Sequence, residues 1–369
     1  MILNIILMKN NRTYFQTFDA LRFFAFVKVF LFHIPIWGFP VFDFIKEGGG
    51  AAVSFFFSLS GFLITYIILE EKKRTGTLDL KAFYVRRILR IWPLYYVMLV
   101  FAFITPFILS LISITASGDG YTPNWLMSAF FLENYKMIAT DGFPNVSPLG
   151  VMWSLCVEEH FYLIWGLVLY VVSIRNIHWL VVGSIIFANI ARGVFYMQGW
   201  SFLDVCTNID YFAYGAVPAI LLILYKERME LFTETLASGV KISIIIISAL
   251  IVLTLPNLAL PFKLLIEPTI LGFAHLLIIA AVVFEKKLFT IPQKNILSRL
   301  GIYSYGFYLT HTIVINLFVK IFDKKHIPLE SPLVVLVFVG VCLGGTIAAG
   351  MCSYYVIEKP FLTLKKRFS

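Results

Sequence analysis

The sequence predicts an all-α, polytopic integral membrane protein with about ten transmembrane helices and both termini on the cytoplasmic side. Three observations predict this. The 369 residues are 60% hydrophobic and only 14% charged, with a mean hydropathy of +0.87, a balance that soluble domains of this size do not have. Apolar stretches of about 20 residues, the length that crosses a hydrocarbon core, recur nearly end to end. Basic residues gather in alternate connections, which sets the orientation by the positive-inside rule.

Taken in order, the spans fall near 19–38, 51–69, 91–113, 149–173, 177–198, 209–225, 240–258, 267–284, 301–320 and 332–356. One set of connections carries "KNNR", "EEKKR" with "YVRRILR", Arg175, "YKER", "EKK" with "NILSR", and the tail "KKRFS". The other set holds single lysines (Lys46, Lys136, Lys263) and one basic exception, "FDKKH". The first set is cytoplasmic by this rule. The opening "MILNIILM" is too short for a signal-peptide core, and its charges Lys9 and Arg12 follow the apolar run; whether Met1 or Met8 is the start stays open. No targeting segment, internal repeat or soluble appendage is visible, so residues 1–369 read as one membrane-embedded domain. The inner loop 70–90 ends in a basic amphipathic stretch suited to the membrane surface. The outer loop 114–148 is rich in Gly, Pro and Asn and is expected to fold over the outer mouth.

The net charge of +9 sorts into these connections, so it marks topology and a bilayer partner, not nucleic acid. Cys156, Cys206, Cys342 and Cys352 lie in or beside apolar segments with no C-x-x-C pair. They read as packing residues, with no disulfide framework and no metal site expected.

Charges inside the spans are the informative exceptions, because each costs roughly 2.5–3.5 kcal/mol at a helix centre. In "FDALRFFAFVKVFLFH" Arg22 and His33 are eleven residues apart. At ~100° per residue that is ~20° past three turns with a ~16 Å rise, so both look into one groove. Asp19 lies one turn before Arg22 and can pair with it; Lys28 points elsewhere. Arg22 is also placed where an interfacial anchor would stand. In "GVMWSLCVEEHFYLIW", Glu158, Glu159 and His160 enter the membrane from the outer side. Adjacent carboxylates cannot share a helix face, so at most one projects into the groove with His33, where it would orient the imidazole or act as a base. In "GIYSYGFYLTHTIVI", Ser304, Tyr308 and His311 form one polar stripe, suited to lining a cavity or to interhelical hydrogen bonds. "YVRRILRIWP" places Arg86, Arg87 and Arg90 at a cytoplasmic helix start, as phosphate ligands or as topology anchors. "GGGAAVSFFFSLSG" supplies Gly48, Gly49, Gly50, Ser60 and Gly61 for close helix packing or for the passage of a thin arm.

With these residues in hand, the sequence resembles acyltransferase family 3, the polytopic membrane O-acyltransferases that modify glycans. The resemblance rests on "FDALRFFAFVKVFLFH" with its Arg-x10-His pair, "SFFFSLSGFLIT", "RRILRIWPLYY", "MWSLCVEEHFYLIW", "YSYGFYLTH" and the terminal "VIEKPF", in order along nearly the whole chain. His160 stands where Gln is expected, Cys156 where Ser is commoner, and Lys359 where Arg often follows the terminal Glu. The resemblance implies transfer of an acyl group, most simply acetyl, from cytoplasmic acyl-coenzyme A to a hydroxyl of a cell-surface or lipid-linked glycan. The setting would be the cytoplasmic (inner) membrane of a bacterium. It implies His33, Arg22 and Glu158 as the catalytic set and Arg87 and Arg90, with Arg86 beside them, as ligands of the coenzyme A phosphates. His311, Tyr308, Glu159 and Ser60 are the expected substrate contacts, and no permanently bound cofactor is expected. Relatives often append an extracytoplasmic domain; this chain ends just after the last span, in keeping with a single domain. A transporter or flippase is the rival class, since buried charges also mark solute paths, although no inverted repeat appears. The H-x4-D acyltransferase signature is absent: the residues five past each histidine are Gly38, Trp165, Gly183, Ala280, Asn316 and Ser331.

Overall fold

The computed structural model describes residues 14–111 and 120–368. Lys9, Arg12, part of the 114–148 loop and the side chains of Lys365 and Lys366 lie outside the described residues. Among the described residues every named element is helical. Nine helical stretches are long and apolar enough to cross a membrane. The difference from ten lies in the first helix. It is α1 (Gln16–Phe32), 17 residues with a rise of only ~25 Å, shorter than the ~30 Å hydrocarbon core. The expected run to residue 38 stops at His33 because Pro35, Gly38 and Pro40 follow within seven residues and cannot continue a helix. α1 instead packs against its protein neighbours, and most of its residues are buried.

After α2 (Pro40–Lys46), α3 (Gly49–Thr75) runs back antiparallel to α1. α4 (Leu80–Leu111) is 32 residues long. Its first three turns are the basic stretch of loop 70–90, which continues straight into the span and is not a separate surface segment. Asp79 Oδ1 caps its start by accepting from Ala82 N at 2.9 Å. Two short helices, α5 (Trp125–Ala129) and α6 (Glu133–Thr140), make up the described part of the outer loop and pack near the start of α7 (Trp153–Val171). The remaining long helices are α8 (Ile177–Met197), α9 (Val205–Leu224), α11 (Ser238–Thr254), α12 (Lys263–Phe284), α14 (Ser304–Lys324) and α15 (Pro332–Ser353), with short connecting helices α10 (Lys226–Thr235) and α13 (Ile296–Gly301).

The tightest contact in the bundle joins α3 and α9. A Cβ on Gly61 would sit 2.1 Å from the Phe212 carbonyl oxygen, and one on Gly215 1.8 Å from that of Ser58. Glycine at both positions lets the backbones touch, the usual basis of helix association where lipid removes any hydrophobic drive. Of the small residues in the "GGGAAVSFFFSLSG" run, Gly61 therefore packs, whereas Ser60 faces a cavity.

The basic residues that mark topology also tie one end of the bundle together. Lys72 Nζ donates to the carbonyls of Leu169 (2.7 Å) and Val172 (2.8 Å) at the end of α7, and Lys73 Nζ donates to Ile223 O (2.9 Å) at the end of α9. Cations at the C-termini of helices satisfy carbonyls that have no intrahelical partner. This end is called the basic end below.

Replacing Gly61 or Gly215 with Val is expected to destabilise the protein by about 1–3 kcal/mol, since the backbone contact must open. Gly50→Ala, where nothing lies within 4 Å of the added Cβ, is expected to be neutral. Thermal unfolding in detergent checks the difference; equal melting of all three variants would contradict the close α3–α9 approach.

Candidate active site

Helices α1, α3, α4, α7 and α14 enclose a cavity of about 810 Å³, including its open mouth. Along α3 its wall extends from Ile64 to Val53, a rise of ~16 Å. Near the basic end stand Arg22 from α1 and Arg87 and Arg90 from α4; midway are Ser60 and Glu158; at the far end are Ser154 and Tyr308. Cations cluster at the mouth because α4 begins there, and Arg87 and Arg90, its eighth and eleventh residues, reach the cavity. Ser154, Glu158 and Tyr162 succeed one another every four residues on α7, so a single helix face lines the cavity.

Arg22 and Glu158 on this wall are held by neighbouring side chains. Asp19 Oδ1 accepts from Arg22 Nη1 at 2.6 Å, and Tyr14 OH donates to the other carboxylate oxygen. Ser60 Oγ donates to Glu158 Oε1 at 2.6 Å, and Tyr162 OH donates to Ser60 Oγ at 3.3 Å. Tyr308 OH lies 2.7 Å from Ser154 Oγ and donates to Val151 O at 3.0 Å. Of the two adjacent carboxylates only Glu158 faces the cavity. Glu159 turns to the other side of α7 and accepts from Trp92 Nε1 at 3.1 Å, so its expected substrate contact is not what the structure shows.

His33 and His311 meet one turn beyond Tyr308. His311 is fully buried; its Nδ1 donates to Tyr308 O at 2.6 Å, and its Nε2 lies 3.3 Å from Nδ1 of His33. His33 Nδ1 is also 2.9 Å from Val29 O. A carbonyl only accepts, so each Nδ1 carries the proton. In neutral rings His311 Nε2 is then an acceptor for His33 Nδ1–H, and His33 Nε2 keeps its lone pair. This arrangement corrects two sequence expectations. Among the described residues it is Val29 and His311, not Glu158, that orient His33. His311 sits behind His33 and supports it, while Tyr308 and Ser60 do line the cavity.

The loop after His33 is pinned from behind. Lys46 Nζ, almost completely buried, donates to Ile34 O (3.0 Å) and Ile36 O (2.6 Å) and stands 3.2 Å from the centroid of the Trp37 ring. Sequence reading took Lys46 only as a topology marker. Ser154 and Tyr162 were also missed, although their four-residue spacing about Glu158 was there to be read. Arg86 differs from its expected role as well: its side chain leaves the cavity and donates to Glu71 Oε2 (3.0 Å) and Phe368 O (2.7 Å). It thus stitches the end of α3 to the C-terminal segment, while Arg87 and Arg90 stay at the mouth. His160 stacks on Tyr135 of α6, with centroids 5.5 Å apart, away from the cavity wall.

The described residues thus form a multi-pass helical bundle with a cavity lined by arginines at one end and by Ser154 and Tyr308 at the other, and with a buried histidine pair beside that far end. Residues 15–351 match the family model described as an acyltransferase domain. The chain belongs to this family. It is 36% identical over 166 residues to the peptidoglycan O-acetyltransferase OatA of Listeria monocytogenes, an alignment covering 42% of this chain and 24% of that protein. It is 26% identical over 377 residues to a Staphylococcus aureus protein provisionally named an O-acetyltransferase, covering 94% of this chain and 57% of that one. The chain thus spans between a quarter and somewhat over half of these relatives. No solved structure matches.

Breaking the buried Arg86–Glu71 pair should unfold, whereas changing the mouth should not. Arg86→Gln is expected to cost about 3–5 kcal/mol, because Glu71 loses its buried counter-charge. Arg90→Gln is expected to melt near the wild type. Thermal unfolding of both variants in one detergent is the measurement, and the reverse ranking would contradict the roles assigned.

Proposed function

We propose that this protein transfers an acetyl group from acetyl-coenzyme A, bound from the cytoplasm, to a hydroxyl of a cell-wall glycan on the far side of the bacterial cytoplasmic membrane. The observation that carries this reading is the course of the cavity, from three arginines at the basic end to Tyr308, one turn before His311, whose ring meets that of His33 just behind the cavity wall. The peptidoglycan O-acetyltransferase name of a relative supports the acceptor class.

Coenzyme A carries phosphates at one end and its thioester at the end of a long pantetheine arm. Arg87, Arg90 and Arg22 supply guanidinium donors for the phosphates. The arm lies along the cavity past Ser60 and Glu158, bringing the thioester toward Tyr308 and the histidines. His33 Nε2 takes the proton of the acceptor hydroxyl as its oxygen attacks the thioester carbonyl; the C–S bond breaks, and the thiolate leaves and takes up a proton. His311 accepts the His33 Nδ1–H bond and stabilises the imidazolium that forms. The start of α1, with Arg22 beside Arg87 and Arg90, and the C-terminal segment, with Phe368 O on Arg86, both lie at the basic end, which is cytoplasmic in this reading.

Donor binding and chemistry are therefore separable. Arg87→Gln with Arg90→Gln is expected to weaken acetyl-coenzyme A binding, and wild-type affinity should fall with salt more steeply than the mutant's. His33→Ala is expected to bind donor as the wild type does and to lose about 10²–10⁴-fold in transfer. Calorimetry in detergent, beside transfer of radiolabelled acetyl to cell-wall glycan, measures both. A double arginine variant that binds donor normally would refute the mouth assignment, and an active His33→Ala would refute the base.

A further inference from the structure

A second cavity, separate from the reaction site, lies on the opposite flank of α1. It is a slot of about 1480 Å³, counting its open side, between α1, α3, α11, α12 and the segment 288–291. It forms because α11 leans on α12 and stands off from α1. Its walls are almost wholly apolar, from Leu21, Phe24 and Leu31 on one side to Ala249, Val252 and Leu253 on the other. The exception is Lys28, only 7% exposed and on the slot wall.

Lys28 is the charge on α1 that the acyl-transfer chemistry leaves unused. It and His33 are five residues apart, about 140° around the helix, so they face different sides. An ammonium has three donors. One goes to the carbonyl of Ile45, itself on the slot wall. No other acceptor engages Lys28 among the described residues, and the exposed Glu47 is the carboxylate near enough to act on it. A buried cation in an apolar trough is complementary to an amphiphile with an anionic head. From Lys28 down to Thr17, where the slot ends near the basic end, α1 rises ~16 Å, about half of the ~30 Å hydrocarbon core.

We propose that this slot is a binding site for an anionic phospholipid, whose phosphate accepts from Lys28 Nζ and whose acyl chain fills the trough toward Thr17. The site is independent of the acyl donor, and lipid binding holds α11 and α12 against α1.

The test is native mass spectrometry of the full chain in detergent, offered equal amounts of phosphatidylglycerol and phosphatidylcholine. Both headgroups carry a phosphate, but the choline cation of phosphatidylcholine cancels its charge and repels Lys28, so the wild type is expected to retain phosphatidylglycerol about tenfold over phosphatidylcholine. Lys28→Met is expected to keep a bound lipid but lose the preference, since the trough remains and the cation does not. Ala249→Phe, which fills the trough, is expected to retain neither. Melting temperatures measured with and without phosphatidylglycerol give a second readout: the lipid should raise that of the wild type and leave that of Ala249→Phe unchanged. A wild type without headgroup preference would overturn the proposal, as would a preference that survives Lys28→Met. So would displacement of phosphatidylglycerol by an equal amount of an isoprenyl phosphate, which would assign the slot to a different amphiphile.

Discussion

Arg22 stands in the wall of a membrane cavity because Asp19, one helical turn earlier, holds its guanidinium at 2.6 Å. That ion pair is the constraint on which the site depends. An unpaired arginine at this depth would be expelled or would drag water with it. Asp19 is in turn fixed by the hydroxyl of Tyr14 and by its own backbone, against which Gly301 packs so closely that a Cβ there would sit 1.7 Å from the Asp19 carbonyl oxygen. The pair is therefore braced by a neighbouring element, and the cation it presents to the cavity is positioned before any ligand arrives.

The same physics distributes the other charges. Arg192 and Asp210 form a buried two-pronged pair at 3.0 and 2.7 Å, completed by Thr207 O and Asn189 Oδ1, between α8 and α9. Arg86 is absorbed by Glu71, and Glu159 by the indole of Trp92. These groups are paired within the protein and face away from the cavity. Arg87, Arg90 and Glu158 are the charges that share its wall with Arg22. The two kinds differ in setting: the pairs fix helix positions in a medium without hydrophobic drive between helices, and the others line a cavity.

The histidines are held by a hydrogen-bond network of backbone carbonyls and each other. Two carbonyls, of Val29 and Tyr308, dictate where the protons sit on His33 and His311, and the contact between the rings leaves His33 Nε2 as the open lone pair. The buried ammonium of Lys46 then fixes the Ile34–Trp37 turn by its carbonyls and ring. Because α1 ends at Phe32, the imidazole sits at a helix end where a loop can position it, beyond the reach of regular helical spacing.

The sequence by itself determined what depends on local pattern. Apolar length and alternating basic connections announced a multi-pass helical bundle, whereas the eleven-residue spacing of Arg22 and His33 did not put both on one cavity wall: Arg22 lines it and His33, just past the helix end, does not. The i,i+3 spacing of Asp19 and Arg22 announced their ion pair, because helix geometry alone brings those side chains together. Only the tertiary structure decided which of several equivalent charges faces which neighbour. Arg86 and Arg87 are adjacent, as are Glu158 and Glu159, yet a rotation of ~100° between successive residues sends one member of each to the cavity and the other to packing. The partnership of His33 with His311, 278 positions apart, and the slot beside Lys28 arise from how α1 lies against α14 and α11. Neither is encoded at any spacing along the chain, because contacts between helices depend on packing that no local repeat specifies.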